Sequence, residues 1–327
     1  MKKNIRIIAG VAATIALVAL THRVGLRNVA SQLRNIGMVL PIVLLAGFVR
    51  LLLQTRAWRI ALDADGIQVP QSRLIGVRLA SQAAGYLTVL GPAVSEPTKL
   101  VMLRDHAGMA DAAPATLVET GAYWLTTVAL GFVGTVAAAF LISDARLIWA
   151  AMATFGVALP FLLTRHSLLS PLVRFAGSRA PRWLRAAEQS ELSIRSFRDR
   201  QPEAARTVLI LDAIAQIVTL FEVALVLWIV GLRFSGPQVL AIEAAGRMVK
   251  ILGSWIPGRI GADEGGAAAS FALIGLPAAA GLMLAVARRL RDVTLCLIGV
   301  LWMVLAANGL PEERSEPEVL SLCPEGR

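Results

Sequence analysis

Long apolar runs, interrupted by short charged or glycine- and proline-bearing stretches, constrain this chain more than any other feature. They fall at about 5–21, 38–53, 74–90, 112–142, 147–163, 207–231, 238–256, 264–287 and 292–308. Inside a bilayer no water satisfies a freed N–H or C=O, so runs of this length become α-helices. The sequence is 56% hydrophobic and only 17% charged, against about 25% charged in a soluble domain, so a water-soluble core does not account for it. The expected fold is an all-α polytopic membrane protein with about seven spanning helices, two re-entrant segments and two inverted halves.

The other function classes that composition suggests fall away quickly. A net charge of +10 invites nucleic acid, but the Arg and Lys lie mainly between apolar runs and no nucleic-acid motif is present. Basic residues so placed follow the positive-inside rule and meet anionic lipid. Cys296 and Cys323 make no disulfide framework, and His22, His106 and His166 lack metal-pair spacing, so no metal or cofactor is expected. A nucleophile elbow, a phosphate-binding loop, a zinc-protease motif and a dinucleotide fingerprint are all lacking. The basic start "MKKNIR" and its short apolar core could be a signal peptide, yet no small-x-small cleavage site precedes "THRVG", so an uncleaved first helix is expected.

Hydrophilic stretches divide the chain into an N-terminal anchor and amphipathic link (1–37), a first membrane half (38–164), an Arg-rich connector (165–206), a second half (207–308) and an acidic, disordered tail (309–327). By the positive-inside rule the connector is cytoplasmic, as is the N-terminus. Crossings then balance only if the segment ending at Gly91-Pro92 enters and leaves on the cytoplasmic side. Its counterpart ending at Pro257-Gly258 re-enters from outside, provided that "ARRLRD" (287–292) is an inside loop. Arg23, Arg27 and Arg34 would be outside in this scheme, against the rule.

The two breaks also carry charge. "GPAVSEPTKLVMLRDHAG" holds Glu96, Lys99 and Arg104; "PGRIGADEGG" holds Asp263 and Glu264. Glu96 precedes a glycine by about twelve residues and Glu264 by about eleven. A charge at the bilayer centre costs at least about 2.5–3.5 kcal/mol, so two charged, broken segments predict a hydrated cavity where they meet. Spaced three apart on a helix, Glu96 and Lys99 share a face and can neutralise each other. Arg50, Glu119, Glu222, Glu243, Arg247 and Lys250 are further charges within apolar runs; cavity lining and interhelical salt bridges account equally well for Glu119 and Glu222. Arg56 and Arg59 flank Trp58 at an expected interface, either as an anchor or as a head-group contact.

These residues resemble the transmembrane domain of lysylphosphatidylglycerol synthases, a family that also has stand-alone flippase-like members. Pro92, Ser95, Glu96, Lys99 and Gly108 are similar to its first signature, and Pro257, Gly258, Gly261 and Glu264 to its second. Arg56, Trp58 and Arg59, and the late pair Arg288 and Arg289, resemble two further motifs. Ser95 stands where the family usually has Gly, and Lys99 where it has Arg; Lys cannot grip a phosphate bidentately. The resemblance implies a multi-pass protein of the bacterial inner membrane that binds and flips a lipid or lipid-linked head group. Its substrate-binding residues would be Glu96, Lys99, Arg104, Glu264, Asp263, Arg56, Arg59, Glu119, Arg288 and Arg289. The lipid would be anionic or of polyprenyl or hopanoid type, with a second copy or a lipid-biosynthesis partner left open. The short tail leaves no room for the family's aminoacyl-transferring domain, so enzymatic activity is not expected. The alternative is a membrane-embedded enzyme, or an accessory subunit, of lipid or isoprenoid synthesis such as hopanoid formation.

Overall fold

The computed structural model describes residues 37–88, 91–144, 169–176, 181–253 and 261–307, with isolated positions between 146 and 152. The expected first helix, the link with Arg23, Arg27 and Arg34, most of the run at 147–163, the Pro257-Gly258 break and the tail lie outside the described residues. Ten helices are described: α1 (Val39–Ala64), α2 (Gln71–Leu87), α3 (Gly91–Leu103), α4 (Met109–Ile142), α5 (Leu169–Ala176), α6 (Arg182–Arg200), α7 (Pro202–Ile229), α8 (Gly236–Leu252), α9 (Ala262–Leu273) and α10 (Ala278–Ala307). The protein is all-helical over these residues. α1, α4 and α7 are long and apolar enough to cross a membrane, with mean hydropathies of 1.6, 2.1 and 2.1. At 1.5 Å per residue, even the 26 residues of α1 reach about 39 Å, beyond a hydrocarbon core of about 30 Å.

Local chemistry marks the boundaries. Gly66, at φ 79°, turns the chain after α1, and Pro70 precedes α2. α7 opens on Pro202, where a missing N–H costs nothing. Ser235 and Gln238 form a reciprocal capping box on α8.

Two apolar clusters show how the helices run. One gathers Trp58, Ala61 and Leu62 from the end of α1 with Leu74 (start of α2), Leu103 (end of α3), Ala112 (start of α4) and Val208 (start of α7). The other gathers Val39 and Val43 from the start of α1 with Val223 and Val226 (late α7), Val239 and Ile242 (start of α8), Phe271 (end of α9) and Leu284 (early α10). α1 and α7 are therefore antiparallel along their length. The helix pair α2–α3 enters the bundle from one end, and α8–α9 enters from the other. At the second end Gln238 Nε2 donates to the Ile274 carbonyl at 3.1 Å, tying the mouth of the α8–α9 pair. At the first, Gln201 Nε2 donates to the Ala64 carbonyl at 3.3 Å and Arg200 meets Asp65 at 3.8 Å, so the amphipathic connector is moored where α1 ends. Burial raises the Asp65 carboxyl above its ordinary range, against the pull of Arg200.

Small residues permit the closest crossings, as in membrane bundles generally. A Cβ on Gly134 of α4 would strike the Leu240 carbonyl and Ala244 of α8. One on Gly299 of α10 would strike the Leu79 carbonyl of α2.

The last two expected runs need correction. "ARRLRD" is not a loop between helices at 264–287 and 292–308; it lies inside α10, which is continuous from Ala278 to Ala307, while α9 ends at Leu273. A run of four charges reads as a loop in sequence. Here each arginine of the run meets a carboxylate inside the bundle, and the helix continues through them.

Candidate functional site

Charged side chains meet in two places, one beside each helix pair. In the first, α2 contributes Arg78, α3 contributes Glu96 and Lys99, α4 contributes Glu119 and Thr120, and α7 contributes Asp212. Pro97 lies within α3 between the two members of its ion pair. The pair expected from i,i+3 spacing is present: Lys99 Nζ lies 2.9 Å from Glu96 Oε1. Lys99 also reaches Glu119 Oε2 at 3.3 Å, while Arg78 Nη2 donates to Glu119 Oε1. Thr120 Oγ1 donates to Glu96 Oε2 at 2.9 Å. Trp58 forms the floor, with its ring centroid 5.6 Å from Lys99 Nζ and its indole N–H donating to Thr116 Oγ1 at 3.1 Å. Glu119 is 1% exposed and Lys99 4%, so this network is interior, and Glu96 forms its more open edge.

In the second place, Glu222 of α7 accepts from Arg288 Nε at 2.6 Å and from Arg291 Nη1 at 2.8 Å. Arg288 Nη2 also donates to Glu243 Oε2 of α8 at 2.9 Å. Arg247 Nη2 joins Glu243 Oε1 at 3.2 Å and Gln216 Oε1 at 2.6 Å. Gln216 in turn donates to Thr126 and Thr127 of α4 at 3.1 and 3.2 Å. Arg289 pairs with Glu264 at 2.9 Å, whose other oxygen accepts from the Gly261 N–H at 2.9 Å and caps α9. A cavity of about 50 Å³ opens here, lined by Lys250, Asp263, Ser270, Arg288, Arg289 and Asp292 among others. That is space for a few waters. Lys250 makes no hydrogen bond or ion pair with the described residues, although Asp292 and Glu243 act on it electrostatically. Arg50 of α1 is likewise without an ion pair, in the field of Arg291, Asp292 and Glu222.

The ten residues expected from sequence thus separate. Glu96, Lys99 and Glu119 come together in the first cluster; Asp263, Glu264, Arg288 and Arg289 belong to the second. Three are not brought to either. Arg56 is exposed on the outer side of α1, Arg59 pairs locally with Asp63 at 3.5 Å, and Arg104 pairs with its neighbour Asp105 at 3.7 Å. Sequence reasoning missed Arg78, Asp212, Arg291 and Asp292. A lone Arg in "LIGVRLASQ" and a lone Asp in "VLILDAIAQ" were the available signals, because an ionisable residue inside an apolar run is a functional candidate by default.

The clusters are also registered alike. Arg78 is the eighth residue of α2 and Glu119 the eleventh of α4; Glu243 is the eighth of α8 and Arg288 the eleventh of α10. The same salt bridge recurs with its charges exchanged.

A family model described as the lysylphosphatidylglycerol synthase TM region matches residues 7–299, and the chain belongs to that family. It is an integral membrane protein of a family linked to lipid modification or flipping. Neither the curated proteins nor the solved structures contain a match.

Proposed function

We propose that this protein binds an anionic lipid head group and moves it between leaflets of a bacterial inner membrane, along a polar path between its two helix pairs. The observation that carries the reading is Lys250: a cation on the cavity wall that has no ion pair among the described residues, in a cluster where Arg50 is the other such cation. Among the described residues the second cluster holds six cations (Arg50, Arg247, Lys250, Arg288, Arg289 and Arg291) against five carboxylates (Glu222, Glu243, Asp263, Glu264 and Asp292). A phosphate supplies the missing negative charge and accepts charge-assisted hydrogen bonds.

The topology that supports this reading follows from the opposed ends of entry. With the Arg-rich connector cytoplasmic, α7 crosses outward and α1 inward. α2–α3 then forms a re-entrant pair from the cytoplasm and α8–α9 one from outside, giving two inverted halves. If the apolar runs at 5–21 and 147–163 span as the sequence leads one to expect, the scheme counts six crossings, because α9 and α10 replace the two late runs. The N-terminus is cytoplasmic in this scheme. No covalent step is required of any residue.

Proteoliposomes containing a head-group-labelled anionic lipid test the proposal. The wild type is expected to exchange label between leaflets. Lys250→Met is expected to slow exchange by about tenfold, the factor that one charge-assisted contact of roughly 1.4 kcal/mol represents. Equal rates for both would sink the assignment. Recovery of a chemically altered lipid would instead favour a membrane enzyme.

A further inference from the structure

Asp212 is 0% exposed, and neither of its carboxylate oxygens has a hydrogen-bond partner among the described residues. It lies ten residues into α7, about 15 Å along the axis from its start, which is deep in the bilayer if α7 crosses it. The charges acting on it are Glu119 from α4, Arg78 from α2 and Lys99 from α3. α1, packed along α7, meets this region with the apolar Ala57, Trp58 and Ala61. α6 brings the ion pair Arg195–Glu191 at 2.7 Å. α8 reaches α7 through Arg247 at Gln216, one turn further on, and α10 reaches it through Arg288 and Arg291 at Glu222, ten residues further. Among the described residues the first cluster thus holds two cations, Arg78 and Lys99, against three carboxylates, Glu96, Glu119 and Asp212.

We infer that Asp212 is a proton-binding site, and that loading and unloading of this proton is coupled to movement of the α2–α3 helix pair. An ionised carboxylate without a donor in such surroundings is costly. The smallest compensating ion is a proton, which needs one oxygen. A hard metal cation needs about six oxygens, and among the described residues no group of three or more His, Cys, Asp or Glu side chains is placed to hold a metal ion. Both Glu119 oxygens are already committed to Arg78 and Lys99. Coupling follows from Arg78, whose Nε and Nη1 also have no hydrogen-bond partner. When Asp212 releases its proton, its charge attracts those vacant donors against the hold of Glu119 on Nη2 and so draws on α2, the helix that carries Arg78. The proton goes to water on the side to which the pair is open, and no bond other than O–H breaks.

The coupling half rests on the lipid-movement reading; the proton site does not. Infrared difference spectroscopy of the reconstituted protein between alkaline and acidic buffer tests the site. The wild type is expected to show the C=O stretch of a protonated carboxyl that titrates with pH. Asp212→Asn is expected to lose that band, and Asp212→Glu, which keeps the carboxyl, to shift it; should the Asn variant not fold, the Glu variant still decides. Identical spectra from the wild type and the folded variants would overturn the site. Coupling is then read in proteoliposomes: one pH unit across the membrane is expected to drive up to about tenfold enrichment of lipid in one leaflet for one proton per lipid, and none in Asp212→Asn. Lipid exchange in the wild type that ignores the gradient overturns the coupling while leaving lipid movement standing. No exchange under any condition overturns the lipid reading and the coupling with it, while the infrared band still decides Asp212.

Discussion

The two charged clusters are built to one plan with opposite surpluses. Each joins the eighth residue of a short helix to the eleventh of a long one by a buried salt bridge, Arg78 to Glu119 in the first and Glu243 to Arg288 in the second. Around the first bridge carboxylates outnumber cations; around the second, cations outnumber carboxylates. A pair of buried, mutually satisfied charges adds little net stability, because desolvation offsets the attraction. What distinguishes the sites is the group left over. Among the described residues Asp212 is left over in the first and Lys250, with Arg50, in the second, and those groups define what each site can accept: a proton in one, an anion in the other.

Removing the shared acceptor of the second cluster is the harshest test of this comparison. Glu222→Ala leaves Arg288 with Glu243 alone and Arg291 with Asp292 alone and deepens the cation surplus of its cluster, and breaking a buried pair costs about 3–5 kcal/mol. Thermal unfolding in detergent is expected to show this as the largest destabilisation of the series. Glu119→Ala strands Arg78 and Lys99, but Lys99 keeps Glu96, and Asp212 stands ready for Arg78. The loss should be smaller, about half as large by the same reckoning. Equal losses would mean that Asp212 is not available to compensate.

The exchanged register can be tested directly. Arg78→Glu and Glu119→Arg each place like charges together, whereas the double variant reproduces the polarity of the second bridge. The double variant is expected to recover about 1–3 kcal/mol relative to the sum of the singles, measured as a double-mutant cycle. Additive losses would make the shared register a coincidence. A milder effect is expected from Trp58→Phe, which keeps the ring under Lys99 but loses the hydrogen bond to Thr116, at about 1 kcal/mol. Arg56→Ala, on the exposed side of α1, should change stability by no more than about 0.5 kcal/mol and leave lipid exchange unaltered.

The sequence disclosed some of this and concealed the rest for physical reasons. Apolar runs and Gly/Pro breaks announced helices and interrupted segments, since both follow from local rules. The Glu96–Lys99 pair was legible because both partners occupy one helix face. The Arg78–Glu119 bridge was not, because its partners are 41 residues apart and meet only when α2 folds back against α4. "ARRLRD" misled because a charge run predicts solvent unless the acceptors are known. Those acceptors, Glu222, Glu243 and Glu264, come from three other helices. Arg56, Arg59 and Arg104 were attractive by motif or proximity, yet helix phase carries Arg56 outward, and Arg59 and Arg104 find partners on their own segments.

Division of labour between the clusters is most directly tested by native mass spectrometry of the detergent-purified protein beside Lys250→Met and Asp212→Asn. The account predicts that the wild type and Asp212→Asn each retain an anionic lipid, and that Lys250→Met does not. Loss of the lipid from both variants alike, or from neither, would contradict it.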